Sequence, residues 1–204
     1  MTCDVLYATM LVPAAVASER IRHQRQSLAA QDLLEKLQKG IKTTATSKSH
    51  SRTAIAVAAS NATSLSLGID IELMAPNRPF DALGRSFLTF APTPLGMDAF
   101  YRCWTFGEAY FKAFQRLPTT TIMQEFIGHV KHTGVFRLTG DVYVMQKVYN
   151  DLFRLCLVWQ TGASEECSVR QVPIGTLHHE YSHQSPSSAS DKSKWANTMA
   201  SDSN

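Results

Sequence analysis

The stretch Leu67-Gly68-Ile69-Asp70-Ile71-Glu72 is an apolar strand interrupted by two carboxylates. Side chains alternate faces along a strand, so Asp70 and Glu72 point the same way. Like charges on one face of a strand repel, and a cation between them removes that penalty. A second stretch, Trp104-Thr105-Phe106-Gly107-Glu108-Ala109-Tyr110-Phe111-Lys112, reads as a helix. It carries Glu108 and Lys112 four residues apart, on one helical face. Three carboxylates converging from a strand and a helix make an oxygen-rich site for a hard cation, and a lysine beside them suits a phosphate ligand. Each piece alone has an ordinary explanation. Asp70 and Glu72 could be solvated acids at a sheet edge. Glu108 and Lys112 could be a helical ion pair contributing roughly 0.2–0.5 kcal/mol. Trp104, Tyr110 and Phe111 are the kind of residues that fill cores.

Working outward, residues 5–12 read as a strand. Residues 18–39 read as a helix that Ser18 can cap, with an apolar stripe of Ile21, Leu28, Leu33, Leu34 and Leu37. Residues 43–51 read as a polar loop containing Ser47-Lys48-Ser49-His50-Ser51. Strands are expected over 53–59 and 65–73, joined as a hairpin through Asn61. Pro76 and Pro79 punctuate a linker, followed by a short helix over 81–90 and a long one over 97–117 ended by Pro118. Residues 122–130, 135–138, 142–148 and 152–160 read as further strands. The order predicts an α+β fold in two mixed halves, residues 1–75 and 76–181. The serine-rich segment 182–204 is expected to be a disordered tail.

The chain has 204 residues, 44% hydrophobic and 18% charged, enough apolar material for a real core. Its formal net charge of +3 suits an anionic ligand or an acidic partner. There is no dense basic run, so nucleic-acid binding is not expected. No apolar run approaches the roughly 20 residues that span a bilayer. The start, with an early Asp4 and no basic segment, reads as a strand rather than a signal peptide. Cys3, Cys103, Cys156 and Cys167 fit no zinc spacing and are expected to be free thiols of a cytoplasmic protein. Ser49 and His50 are adjacent and cannot easily face each other as nucleophile and base. Hydrogen bonding to a phosphate is the simpler role.

Taken in order, Ser49-His50-Ser51, Leu67 to Glu72 and Trp104 to Lys112 resemble the motifs of the 4′-phosphopantetheinyl transferase superfamily, in particular its larger, monomeric, pseudo-dimeric branch. The resemblance runs from about Lys48 to Phe114. The chain departs from the family pattern at Gly107, where a lysine is usual. It also lacks an acid in Phe87-Leu88-Thr89-Phe90-Ala91-Pro92-Thr93-Pro94.

The resemblance implies two similar halves related by a pseudo-two-fold axis. It also implies transfer of the phosphopantetheine arm of coenzyme A to a serine of an acyl or peptidyl carrier protein, with release of 3′,5′-ADP. Pathways of secondary metabolism, making polyketides, nonribosomal peptides, pigments or siderophores, are the expected setting. In this reading Asp70, Glu72 and Glu108 hold Mg²⁺, Glu108 is the base, and Lys112 steadies the reacting phosphate. Ser49 and His50 bind coenzyme A, and Arg20, Arg22 and Arg25 lie in the general region of the 3′-phosphate. The competing readings are a non-catalytic homologue that binds coenzyme A or a carrier protein, and a structural α+β protein with an accidental match.

Overall fold

A computed structural model describes residues 3–13, 18–39, 41–62, 65–80, 82, 96–129, 134–162 and 167–173. Along these the chain forms β1 (Cys3–Leu11), α1 (Glu19–Gln38), β2 (Ala45–Ser51), β3 (Ala54–Ser60), β4 (Ser66–Leu73), α2 (Met97–Phe114), α3 (Thr120–Gly128), β5 (Gly134–Leu138), β6 (Val142–Tyr149), β7 (Phe153–Gln160) and β8 (Cys167–Gln171). The tail 182–204 and nearly all of the helix expected over 81–90 lie outside the described residues. Among the described residues no helix is long and apolar enough to cross a membrane.

The strands make two four-stranded sheets, ordered β2-β3-β1-β8 and β4-β7-β6-β5. Every pairing is antiparallel except that of β1 with β8. Strand periodicity sorts the apolar residues into layers. In the first sheet Val5, Tyr7, Ala54, Ala56 and Ala58 face the second sheet, where they meet Ile69, Ile71, Phe153, Leu155, Leu157 and Trp159. The other face of the first sheet, with Leu6, Ala8, Ile55 and Val57, packs on Ala30, Leu33, Leu34 and Leu37 of α1. The outer face of the second sheet, with Val144, Cys156 and Val158, packs on Phe106 and Tyr110 of α2 and Phe126 of α3. The molecule is therefore a mixed α+β stack of helix, sheet, sheet and helices. Each sheet has an apolar neighbour on both faces, which explains why β3 is buried along its whole length.

Several expectations need correction. Residues 45–51 are a strand, not a loop: their alternating serines face a neighbouring strand and need no apolar face of their own. Strands β3 and β4 do not form a hairpin. Both edges of β3 are taken, by β2 and β1, so the chain leaves that sheet after Ser60 and β4 joins β7 in the other. Residues 120–128 are helical, not extended. Thr119 caps the helix by accepting a 3.3 Å hydrogen bond from the Ile122 N–H, and Met123 and Phe126 fall on its buried side. Ile21 and Leu28 of α1 are exposed, and Ala29 and Ala30 take their expected places in the core. Cys3 and Cys167 are not free thiols but a disulfide tying β1 to β8 at paired positions. Cys103 and Cys156 are free and buried. Burial pushes the Cys103 thiol up to about 12 and the Cys156 thiol higher still, so neither is a thiolate near neutral pH.

The boundary at residue 75 does not separate two self-contained sheets, because β4 belongs with β5 to β7 and β8 with β1 to β3. Helix α2 lies directly on β4 at Gly68. A Cβ there would stand 1.9 Å from the Ala109 carbonyl oxygen and 2.8 Å from the Ala113 nitrogen, both backbone atoms that cannot swing away. Gly68→Ala is expected to destabilise the fold by about 1–3 kcal/mol or more in urea unfolding. Gly128→Ala, where an added Cβ meets nothing within 4 Å, should stay within about 0.5 kcal/mol of the parent. Equal stability of the two variants would contradict this packing.

Candidate active site

The site forms where β2, the edge of one sheet, runs beside β4, the edge of the other. An edge strand presents unpaired backbone groups. Here serines meet them. The Ile69 N–H donates to Ser47 Oγ at 3.0 Å and the Leu73 N–H donates to Ser51 Oγ at 3.1 Å. The same row of serines reaches the two carboxylates of β4. Ser49 Oγ donates to Asp70 Oδ1 at 2.8 Å, and Ser51 Oγ donates to Glu72 Oε2 at 2.8 Å. Period-two alternation puts Ser47, Ser49 and Ser51 on the β4 side of β2, and Lys48 and His50 on the other.

Asp70 is the centre of the cluster and is only 4% exposed. From α2, the Lys112 ammonium donates to Asp70 Oδ1 at 2.8 Å and to the Ile69 carbonyl oxygen at 3.1 Å. An ammonium has three N–H donors, so one is left for a ligand. Asp70 Oδ2 is buried and has no hydrogen-bond partner among the described residues. Glu72 has Arg78 at 4.0 Å as a second, weaker partner. Burial and then the Asp70 charge raise the Glu72 carboxyl above the usual range, against the opposing pull of Ser51, Arg78 and Lys112. Glu108 is half-buried and raised for the same two reasons, with Lys112 opposing. Asp70 thus makes both glutamates harder to ionise.

Those features fit a magnesium ion. A buried carboxylate oxygen without a donor, flanked by two glutamates that feel its charge, is the environment a hard cation relieves. Among the described residues, no three His, Cys, Asp or Glu side chains are close enough to ligate one ion as they stand. Mg²⁺ does not require such a cage, since it commonly binds one or two carboxylates and completes its octahedron with water and phosphate.

The expected residues are therefore brought together in part. Asp70, Ser49 and Lys112 are linked by hydrogen bonds, Glu72 is held beside them by Ser51, and Glu108 feels the charge of Asp70. His50 faces away from the carboxylates and meets the ring of His23 on α1, edge to face at 5.6 Å. Burial, and then the charges of His23, Lys112 and Lys48, hold the His50 imidazole below its usual range. The first turns of α1, with Arg20, Arg22, His23 and Arg25, therefore run past His50. Ser49 Oγ spends its proton on Asp70 rather than on a phosphate. Gly107 is buried within α2, so a lysine there would start from the core side of the helix. Sequence reasoning missed Ser47, Arg78 and His23. The period-two serines were the signal for the first; nothing local marked the other two.

Comparison with known proteins adds no assignment: the chain matches no protein-family model and no curated protein sequence.

Two outcomes are expected. Lys112→Met would strip Asp70 of its ammonium while leaving it buried, at a cost of about 2–3 kcal/mol in urea unfolding. An unchanged midpoint would contradict the buried pair. His50 should titrate below 6.5 when followed by NMR. Because folding lowers its pKa, the unfolded chain takes up the proton first as pH falls. The stability from neutral His50 is thus present above about 6.5 and lost as pH drops through the lowered value. His50→Gln should flatten that part of the stability profile, and an identical profile would remove His50 as its source.

Proposed function

We propose that this chain is a 4′-phosphopantetheinyl transferase. It moves the phosphopantetheine arm of coenzyme A onto a serine of an acyl or peptidyl carrier protein and releases 3′,5′-ADP. The observation that carries this reading is the cluster around Asp70. The three stretches that resemble the family lie far apart in sequence, on β2, β4 and α2, yet their polar residues meet at one buried carboxylate. A chance match of three motifs gives no reason for them to meet in space.

Of the three expected ligands Asp70, Glu72 and Glu108, Asp70 with one glutamate would hold Mg²⁺, which when bound neutralises charge on the pyrophosphate as the leaving group departs. The raised pKa of Glu108 makes it a stronger base than an ordinary glutamate, suited to take the proton of the carrier serine hydroxyl as that oxygen attacks the β-phosphate. Lys112 is fixed by Asp70 and the Ile69 carbonyl, so its remaining N–H meets the reacting phosphate without being reoriented. Ser49 contributes by orienting Asp70, and its expected contact with coenzyme A gives way to that role. On the face of β2 turned away from the carboxylates, Lys48 supplies positive charge and the neutral His50 imidazole a hydrogen-bonding group for the coenzyme A phosphates. The net charge of +3 favours encounter with the acidic helical bundles typical of carrier proteins. The reading carries with it a monomer with a pseudo-two-fold relation between its halves, serving secondary metabolism.

One observation favours a second reading, a homologue that binds coenzyme A or a carrier without transfer. Lys112 already neutralises one oxygen of Asp70, which stabilises the cluster without any metal. One assay separates the two. An apo carrier protein is incubated with the full chain, coenzyme A and Mg²⁺, and its intact mass is measured with and without EDTA. Transferase action predicts a gain of one phosphopantetheine group that EDTA prevents and that Asp70→Asn and Glu108→Gln abolish. No gain on either acyl or peptidyl carriers, with coenzyme A binding retained, would establish the second reading instead.

A further inference from the structure

At the opposite end of α2 from Lys112, a cleft of about 270 Å³ opens against β6 and β7. Arg102, Arg154, Gln146 and Lys147 line it, with Met145 and Val148 among its apolar walls. Arg154 is 3% exposed, an unusual depth for a guanidinium. Its Nη2 donates to Asp98 Oδ1, and Arg102 Nε donates to Asp98 Oδ2 at 2.7 Å. Two guanidinium groups therefore share one carboxylate that is itself 57% exposed. Gln146 adds no charge: its carbonyl accepts from Arg102 Nη1 at 3.4 Å and its amide donates to the Arg102 backbone carbonyl at 2.9 Å. Lys147 Nζ donates to Gln171 Oε1 at 2.8 Å. The Nε–H of Arg154 is buried and finds no acceptor among the described residues.

A structural clamp between α2 and β7 accounts for Asp98. It leaves a buried donor without a partner among the described residues and an excess of positive charge, both of which cost free energy, at the wall of a cleft. A ligand that accepts hydrogen bonds and carries negative charge answers both. We infer that this cleft is a second anion site, separate from the Asp70 cluster, which takes a small oxyanion (a phosphate or a carboxylate) on Arg154 and Arg102. Guanidinium forks match both anions, and the apolar walls admit a short aliphatic part beside the charged head. The inference does not depend on the transferase reading.

The test uses the full chain, labelled with nitrogen-15, without coenzyme A or a carrier protein. Arginine Nε–Hε signals are followed while inorganic phosphate, and separately acetate, replaces chloride at constant ionic strength. The Arg154 signal should shift saturably with at least one of the two, and the arm that responds identifies the anion class. Arg102→Gln should weaken the response roughly tenfold. No saturable shift of the Arg154 signal with either anion, including phosphate shifts confined to the Lys112 and His50 region, would overturn the site. If Arg102→Gln fails to fold, the titration of the unaltered chain decides alone. Loss of transferase activity would leave this result untouched, and the reverse also holds.

Discussion

The edge of β4 is the constraint on which the rest depends. An unpaired strand edge within a protein must find donors and acceptors, and here it finds them in the side chains of β2 rather than in its backbone. That choice keeps the two sheets from merging into one. It also leaves the carboxylates of Asp70 and Glu72 within reach of Ser49 and Ser51, which hold them. Asp70 can be buried with a charge only because Ser49 and Lys112 both answer it. Their own burial, and then the charge of Asp70, raises Glu72 and Glu108. The chemistry of the site is a by-product of how two sheet edges avoid each other.

Helix α2 is held against the second sheet at three points. Near its N-terminus Asp98 meets Arg154, near its C-terminus Lys112 meets Asp70, and between them Gly68 lets the backbones touch. Both ion pairs have the sign that the helix dipole favours, an acid in the first turn and a base in the last. Stacked Phe106 and Phe126, with ring centroids 4.0 Å apart, extend the contact to α3. A helix fixed in this way keeps Glu108 within the field of Asp70 on β4.

Much of this could be read from the residues, and the limits have physical causes. The strand of Asp70 and the helix of Glu108 were legible because their apolar residues repeat with clear periods. Strand β2 was not, because its buried side is made of serines and no scale of hydrophobicity marks it. Helix α3 was obscured by Thr119, Thr120, Thr121 and Ile122, β-branched residues that favour strands until Thr119 acts as a cap. That Asp70 and Glu72 share a face followed from strand spacing, and that Glu108 and Lys112 share one followed from helix spacing. The partner of each strand did not, because pairing between β4 and β7 or between β1 and β8 joins distant segments and leaves no local trace. The disulfide was hidden for the same reason: Cys3 and Cys167 are 164 residues apart and become neighbours only through the parallel pairing.

That long-range pairing has a bearing on how the chain is made. Strand β4 is synthesised early, but its partner β7 begins at Phe153. At about 5–20 residues per second the wait on the ribosome lasts several seconds. Throughout it Leu67, Ile69 and Ile71 have no sheet of their own to cover. The first sheet waits longer still, since its edge strand β8 is the last described strand to emerge. Neither sheet is complete until its last strand has left the ribosome, β7 for the second and β8 for the first, and until then the apolar face of β4 stays uncovered.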